Sequence, residues 1–266
     1  MSLGIVIKGP EGMVLAAESR VTLGVQLADQ QIHVNFDNAT KLLSFSPPNT
    51  AVGVVTYGLA AIGLRAAHSF IPEFEAELPQ ERLPVQNFAQ RLSDFFMRQW
   101  QATMPADFDG PGMTFVAGGF DEGEAYGKVF LFEIPRRPTP TEQQPNPGEF
   151  GITWGGQRDV VDRLIQGFDH RLPEITATTL HLQPQQVETL LQSLRVLQMS
   201  LPLAAMPLQD CVDLAIFFIR TTITAQRLTV DIRGCGGPID VATITRREGL
   251  RFVQRKQISG EKGLIA

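Results

Sequence analysis

Two cysteines, two tryptophans and two tyrosines are all that this chain of 266 residues holds of those types. Cys211 and Cys235 allow at most one bridge and form no CxxC pair, which excludes a disulfide framework and a cysteine zinc site and points to a reducing cytosol. A basic excess is also missing. The 23 Lys and Arg stand against 28 Asp and Glu, a formal charge of −5, and they are scattered apart from Arg246, Arg247 and the stretch 251–256, so no nucleic-acid partner is expected. The longest uncharged run, 42–64, could span a bilayer by length, but Pro47, Pro48, Asn49 and three glycines break it into two strands and a helix start. No membrane partner is expected, and the absence of a basic n-region, apolar h-region and cleavage site at the start predicts a cytoplasmic protein.

The composition is that of a packed globular chain. Hydrophobic residues make up 43% and charged residues 19%, which excludes disorder, collagen and coiled coil. With no domain-sized shift in composition, a single domain over 1–266 is expected. Two β-rich runs, 3–8 and 13–18, flank Gly9-Pro10-Glu11-Gly12 and predict an N-terminal hairpin. Further strands are expected over 32–36, 41–45 and 52–56, then a helix over 59–68 from its alanines and leucines. A second helix, 85–101, carries Phe88, Leu92, Phe95, Phe96 and Trp100 along one face, most simply a core face. Strands 113–118 and 128–134 bracket a turn at 121–123. Residues 135–148, with five prolines, read as a loop or polyproline-like excursion. A strand at 151–154, helices over 157–168, 184–199 and 209–225, and strands 240–245 and 250–253 complete the chain. The first of these helices turns Val160, Val161, Leu164 and Ile165 inward; the third, strongly apolar, serves as core or interface. Strands in blocks separated by blocks of helices indicate α+β sheets packed face to face with helices outside, not a Rossmann or barrel alternation.

The second residue carries the chemistry. A small residue after the initiator methionine normally permits its removal, leaving Ser2 first. An N-terminal serine can be its own catalytic unit, its hydroxyl attacking while its α-amine, of reference pKa ~7.7–8.0, takes the proton. Ser2-Leu-Gly-Ile-Val-Ile-Lys-Gly, followed by Met13-Val-Leu-Ala-Ala-Glu-Ser-Arg20 with Thr22 and Gly24, resembles the opening of a proteasome β-type subunit in the N-terminal-nucleophile (Ntn) hydrolase superfamily. Glu18 lies sixteen positions after Ser2, the family's separation for its acidic residue. Bacterial proteasome-like proteins, including the Anbu group, are the nearer likeness. The resemblance implies a four-layer αββα sandwich of two antiparallel sheets flanked by helices. It implies that Lys41, in Ala39-Thr-Lys-Leu-Leu, sits beside the nucleophile held by Glu18. It also implies that Gly58, ending Val52-Gly-Val-Val-Thr-Tyr-Gly, offers its N–H to an oxyanion. Val21, Thr56 and Ala60 are the implied substrate-pocket residues.

The likeness continues through Met113-Thr-Phe-Val-Ala-Gly-Gly, Gly151-Ile-Thr-Trp-Gly-Gly and Gly234-Cys-Gly-Gly-Pro-Ile-Asp, with 136–148 and 175–206 as added material. The chain departs from the family in having Ser2 for Thr, Glu18 for Asp, Gly155 at the assisting serine and Cys235 at the second serine. Gly156 is retained, and Asp231 stands one residue off register for the associated aspartate. The function implied is a serine peptidase acting on polypeptide substrates within a homo-oligomer, a ring or stacked rings with or without an ATPase partner, and needing no metal or organic cofactor. The alternatives are a non-catalytic ring or scaffold subunit, suggested by the altered auxiliary residues, and a small-molecule amidohydrolase of the same fold. The family's α-type subunits carry a helix before the first strand, for which this chain leaves no room, so a β-type arrangement is expected.

Overall fold

Leu3–Lys8 (β1) and Met13–Glu18 (β2) are buried at every position, as expected of strands covered on both faces. The structure, a computed structural model, describes residues 2–27, 30–230 and 233–260. It is a mixed α+β fold built on antiparallel sheets. The first sheet sets β1 and β2 beside Gly151–Gly156 (β12), Ile239–Thr245 (β13) and Gly249–Gln254 (β14), in the order β12-β1-β2-β13-β14. The second joins Leu42–Ser44 (β5), Val52–Gly58 (β6), Met113–Gly119 (β9), Lys128–Ile134 (β10) and Arg137–Gln143 (β11), in the order β11-β10-β9-β6-β5.

Three apolar clusters stack through the molecule. The helix Val85–Thr103 (α2) lays Phe88, Leu92, Phe95 and Phe96 on the second sheet, where the three phenylalanine rings meet Phe45, Phe70, Phe74 and Phe115 mostly edge to face. Each such ring contributes about 1.5–3 kcal/mol by leaving water. Val6, Met13, Leu15, Val55, Val116 and Ile244 fill the space between the sheets. Helices Asp159–Gln166 (α3) and Leu208–Leu228 (α6) cover the outer face of the first sheet through Val161, Ile165, Ala215, Phe218 and Ile219. One face of the strongly apolar α6 is therefore core. Between the sheets, the Met13 thioether is clamped: β-carbons added to Gly118 and Gly127 would fall 2.6 and 2.4 Å from it.

The structure departs from the expected elements in several places. Residues 59–68 form no long helix. Gly58 and Gly63 take positive φ, and the chain instead makes a small hairpin, Ala61–Ile62 (β7) with Arg65–Ala66 (β8), then a 3₁₀ turn and a short helix, Ile71–Ala76 (α1). Nor is 135–148 a free loop. Its prolines Pro138 and Pro140 sit in the edge strand β11, where a missing N–H is tolerated, and a bulge opposite Leu131 to Glu133 absorbs the irregularity. Lys41 precedes β5 rather than lying within it.

The strand expected over 32–36 and the helix expected over 184–199 are present, each joined by an unexpected element, Val21–Leu27 (β3) and Leu172–Leu180 (α4). The strand β3 pairs with Gln30–Phe36 (β4) as a separate ribbon, whose register puts Val21, Leu23, Ile32, Val34 and Phe36 on one face. Between α3 and α6, α4 and Pro184–Leu194 (α5) bury none of their residues. No helix among the described residues is long and apolar enough to cross a membrane.

Candidate functional site

The site is built where β1 begins. Ser2 is 4% exposed, and its carbonyl accepts a hydrogen bond from Gln157 N at 2.7 Å. On one side lies the end of β2, where Glu18 is buried and fully engaged. Its Oε1 accepts from Leu3 N (3.3 Å) and from the Lys41 ammonium, and its Oε2 from Arg20 N (2.7 Å) and Gly236 N (3.0 Å). One carboxylate oxygen thus joins the peptide following Ser2 to Lys41. The extra methylene of glutamate reaches this geometry without losing a partner.

Lys41 is buried too and also donates to the Arg20 carbonyl. Burial pushes its pKa below the usual lysine value, an effect that the Glu18 charge and hydrogen bond partly offset. Its position is fixed through its own backbone: Lys41 O accepts from Thr56 N at 2.9 Å. Thr56 is therefore packed behind Lys41. Val21 opens the β3–β4 ribbon beside Arg20, and Ala60 is half-buried in the turn after β6. None of these three lines the cavity bounded by Gly155 and Gly156, described below.

Gly58 ends β6 opposite Met113 with φ +90°; a β-carbon there would come within 2.4 Å of Gly112 O, so only glycine fits. Its predecessor Tyr57 enters the site in a way the sequence did not suggest. Gly4 and Gly155 are cross-strand partners on β1 and β12, and the Tyr57 ring from the facing sheet fills the space between them. Added β-carbons would lie 2.9 Å from its Cδ1 and 2.3 Å from its Oη. The volume that a serine at 155 would take is occupied by a phenol whose pKa burial pushes up to about 12, so it stays protonated at neutral pH. Gly156, at φ +93°, lies so close to Ser2 that a β-carbon would sit 1.8 Å from the Ser2 carbonyl oxygen.

Cys235 is buried behind Glu18, its thiol pKa raised first by burial and then by the Glu18 charge. It stays a thiol, with its N–H held by Gln226 Oε1 at 2.8 Å. The loop it starts is braced by Arg20, which forms a two-pronged pair with Asp37 (2.6 and 2.8 Å). Met1 and Asp231, on which the sequence reading also drew, lie outside the described residues.

On the opposite side of Ser2, Asp162 in α3 is 0% exposed. It accepts from Trp154 Nε1 (2.8 Å) and Arg158 Nε (2.6 Å), with His170 Nδ1 3.2 Å away. Trp154, Arg158, Gly155, Gly156 and Tyr57 line a cavity of about 450 Å³ whose far wall is β11. Among the described residues no three His, Cys, Asp or Glu side chains stand together to hold a metal ion.

No protein-family model and no curated protein matches the chain.

Proposed function

We propose that the protein is a proteasome-like N-terminal serine peptidase of the Ntn hydrolase superfamily, which cleaves peptide bonds within a homo-oligomeric assembly. The observation that carries this reading is the shared oxygen of Glu18, which accepts from both Leu3 N and the Lys41 ammonium. A buried lysine next to the first strand's opening residue has a chemical use there: its charge lowers the cost of forming the serine alkoxide. The succession of helix, sheet, sheet and helix supports the four-layer αββα sandwich of that superfamily.

In this reading Ser2 Oγ attacks the scissile carbonyl and its proton passes to the α-amine of Ser2. The Gly58 N–H stabilises the oxyanion, and collapse breaks the C–N bond as the leaving amine takes the proton. Water then adds to the acyl ester through the same amine, releasing the acid and restoring the hydroxyl. Lys41 acts throughout as a fixed positive charge, and Glu18 holds it in place. Tyr57 brings a neutral hydroxyl to the position left open by Gly155. The chemistry uses only these groups and needs no cofactor.

The test has two stages. Intact mass of the protein isolated from cells is expected to show Ser2 as the first residue, because a retained Met1 ties the amine up in an amide and overturns the reading. A β-lactone or peptide boronate is then expected to add one equivalent to the wild type and none to Ser2→Ala. A wild type that starts at Ser2 yet stays unlabelled at saturating probe favours the scaffold reading instead, which the filling of the Gly155 position by Tyr57 would then explain.

A further inference from the structure

The two sheets do not end together on the Ser2 side. The first stops at β12, whose outer edge has no strand partner among the described residues, while the second runs on to β11. The overhang leaves one face of β11 uncovered, with Arg137, Thr139, Thr141 and Gln143 in alternation along it, and this face forms the far wall of the cavity beside Gly156. The walls carry two guanidinium groups and no carboxylate.

Both arginines are held from behind. Arg158 is pinned through Nε by Asp162, which pins the Trp154 indole as well. Arg137 is pinned through Nε and Nη2 by Glu133, which Arg136 also approaches at 3.9 Å. A guanidinium has five N–H donors, and these contacts leave most of them open. Each cleft arginine thus has one carboxylate behind it, Glu133 for Arg137 and Asp162 for Arg158, so what the wall offers a ligand is oriented guanidinium N–H donors. Thr153, buried on the same face of β12 as Gly155, has no hydrogen-bond partner for its hydroxyl among the described residues.

We propose that this cleft is a recognition subsite for a carboxylate borne by the bound peptide, held between Arg137 and Arg158 at the edge of β12. It rests on the peptidase reading for the identity of the ligand as a peptide. The volume suits one or two residues, and Gly156, which lines it, packs against the backbone carbonyl of Ser2. A buried carboxylate that fixes an arginine at the cavity wall lowers the ordering cost of binding, since that side chain need not be immobilised by the ligand. The carboxylate comes from an acidic side chain or from a free C-terminus, and the two sources differ only in where the charge sits on the peptide.

The test reads binding without turnover. Ser2→Ala protein is titrated with blocked hexapeptides that differ only as Asp against Asn, and with a neutral peptide ending in a free acid against an amide. The fluorescence of Trp154, one of two tryptophans in the chain, reports occupancy, and Trp154→Phe assigns the signal. One acidic peptide is expected to bind roughly tenfold or more tightly than its neutral isostere. The pair that shows the difference identifies the source. In Arg137→Gln, whose side chain is exposed, the preference is expected to fall several-fold. Arg137→Gln with Arg158→Lys, which keeps a cation against Asp162, is expected to abolish it. Equal binding within both pairs, or a preference untouched by both variants, overturns the proposal. Since Ser2→Ala does no chemistry, failure of Ser2 labelling does not alter this result, and loss of acid preference leaves the labelling result standing.

Discussion

Glu18 and Asp162 are buried carboxylates on either side of Ser2, one at the end of β2 and one in the helix that follows β12, and they are satisfied by different kinds of partner. Glu18 takes three backbone N–H groups and a buried ammonium. Asp162 takes an indole and a guanidinium that reaches the surface, with an imidazole close by. A carboxylate held by the main chain cannot move unless the sheet moves, so the ammonium it holds is equally fixed. A carboxylate held by side chains fixes rotamers instead, and those rotamers shape a wall. The first arrangement suits a charge that must stay in one place during bond making, and the second suits a surface that must fit a ligand.

The largest effect should come from breaking the Glu18 side. Lys41→Met leaves Glu18 buried without its cation, and a loss of about 3–5 kcal/mol is expected from the denaturant midpoint, together with loss of Ser2 labelling. Gly156→Ala comes next. Its β-carbon meets the Ser2 carbonyl and its φ is unfavourable, so a cost of about 1–3 kcal/mol is expected, with labelling slowed because Ser2 itself is displaced. Asp162→Ala should cost about 1–3 kcal/mol and leave Ser2 labelling close to wild type, while Trp154 fluorescence shifts as the indole loses its acceptor. If Asp162→Ala abolishes labelling as completely as Lys41→Met does, the division between a chemical side and a recognition side is wrong.

The smallest effect is in pH. Burial lowers the Lys41 pKa in the folded state, so between that value and the ordinary lysine pKa the unfolded chain holds a proton that the folded chain has released. Stability of the wild type relative to Lys41→Met should therefore rise with pH across that window. A fall there would show that Glu18 more than offsets the burial.

The same contrast explains which parts of the molecule could be read from its sequence. Ser2 and Glu18 lie at the two ends of one hairpin, sixteen positions apart, and Lys41, just before β5, is pointed to by the motif likeness, while the fully buried β1 and β2 and the aromatic face of α2 announce themselves by composition. Tyr57 and Asp162 are different. The Tyr57 ring meets Gly155 only because two sheets stack, and nothing local to either residue signals it. Asp162 lies beside the inward-facing Val161 of α3, where periodicity assigns it no partner; its partners come from β12, from the turn before the helix and from His170 beyond it. The misread 59–68 segment fails for a local reason. Alanines and leucines at helical spacing were outweighed by Gly58 and Gly63, which turn the chain at both ends of what would have been the first helical turns. Likewise β11 is a strand despite its prolines because it is an edge, a fact of topology rather than of composition.

The clamp on Met13 makes the molecule a recorder of its own opening. Conversion of a thioether to a sulfoxide adds an oxygen atom, and the space next to this sulfur is already taken by Gly118 and Gly127, so peroxide can reach and modify Met13 only in molecules whose sheets have parted. Met199 is 38% exposed and reacts without any such event. The ratio of sulfoxide formed at the two methionines, followed by peptide mass spectrometry under dilute peroxide, is therefore a chemical clock for how often the β-sandwich comes apart.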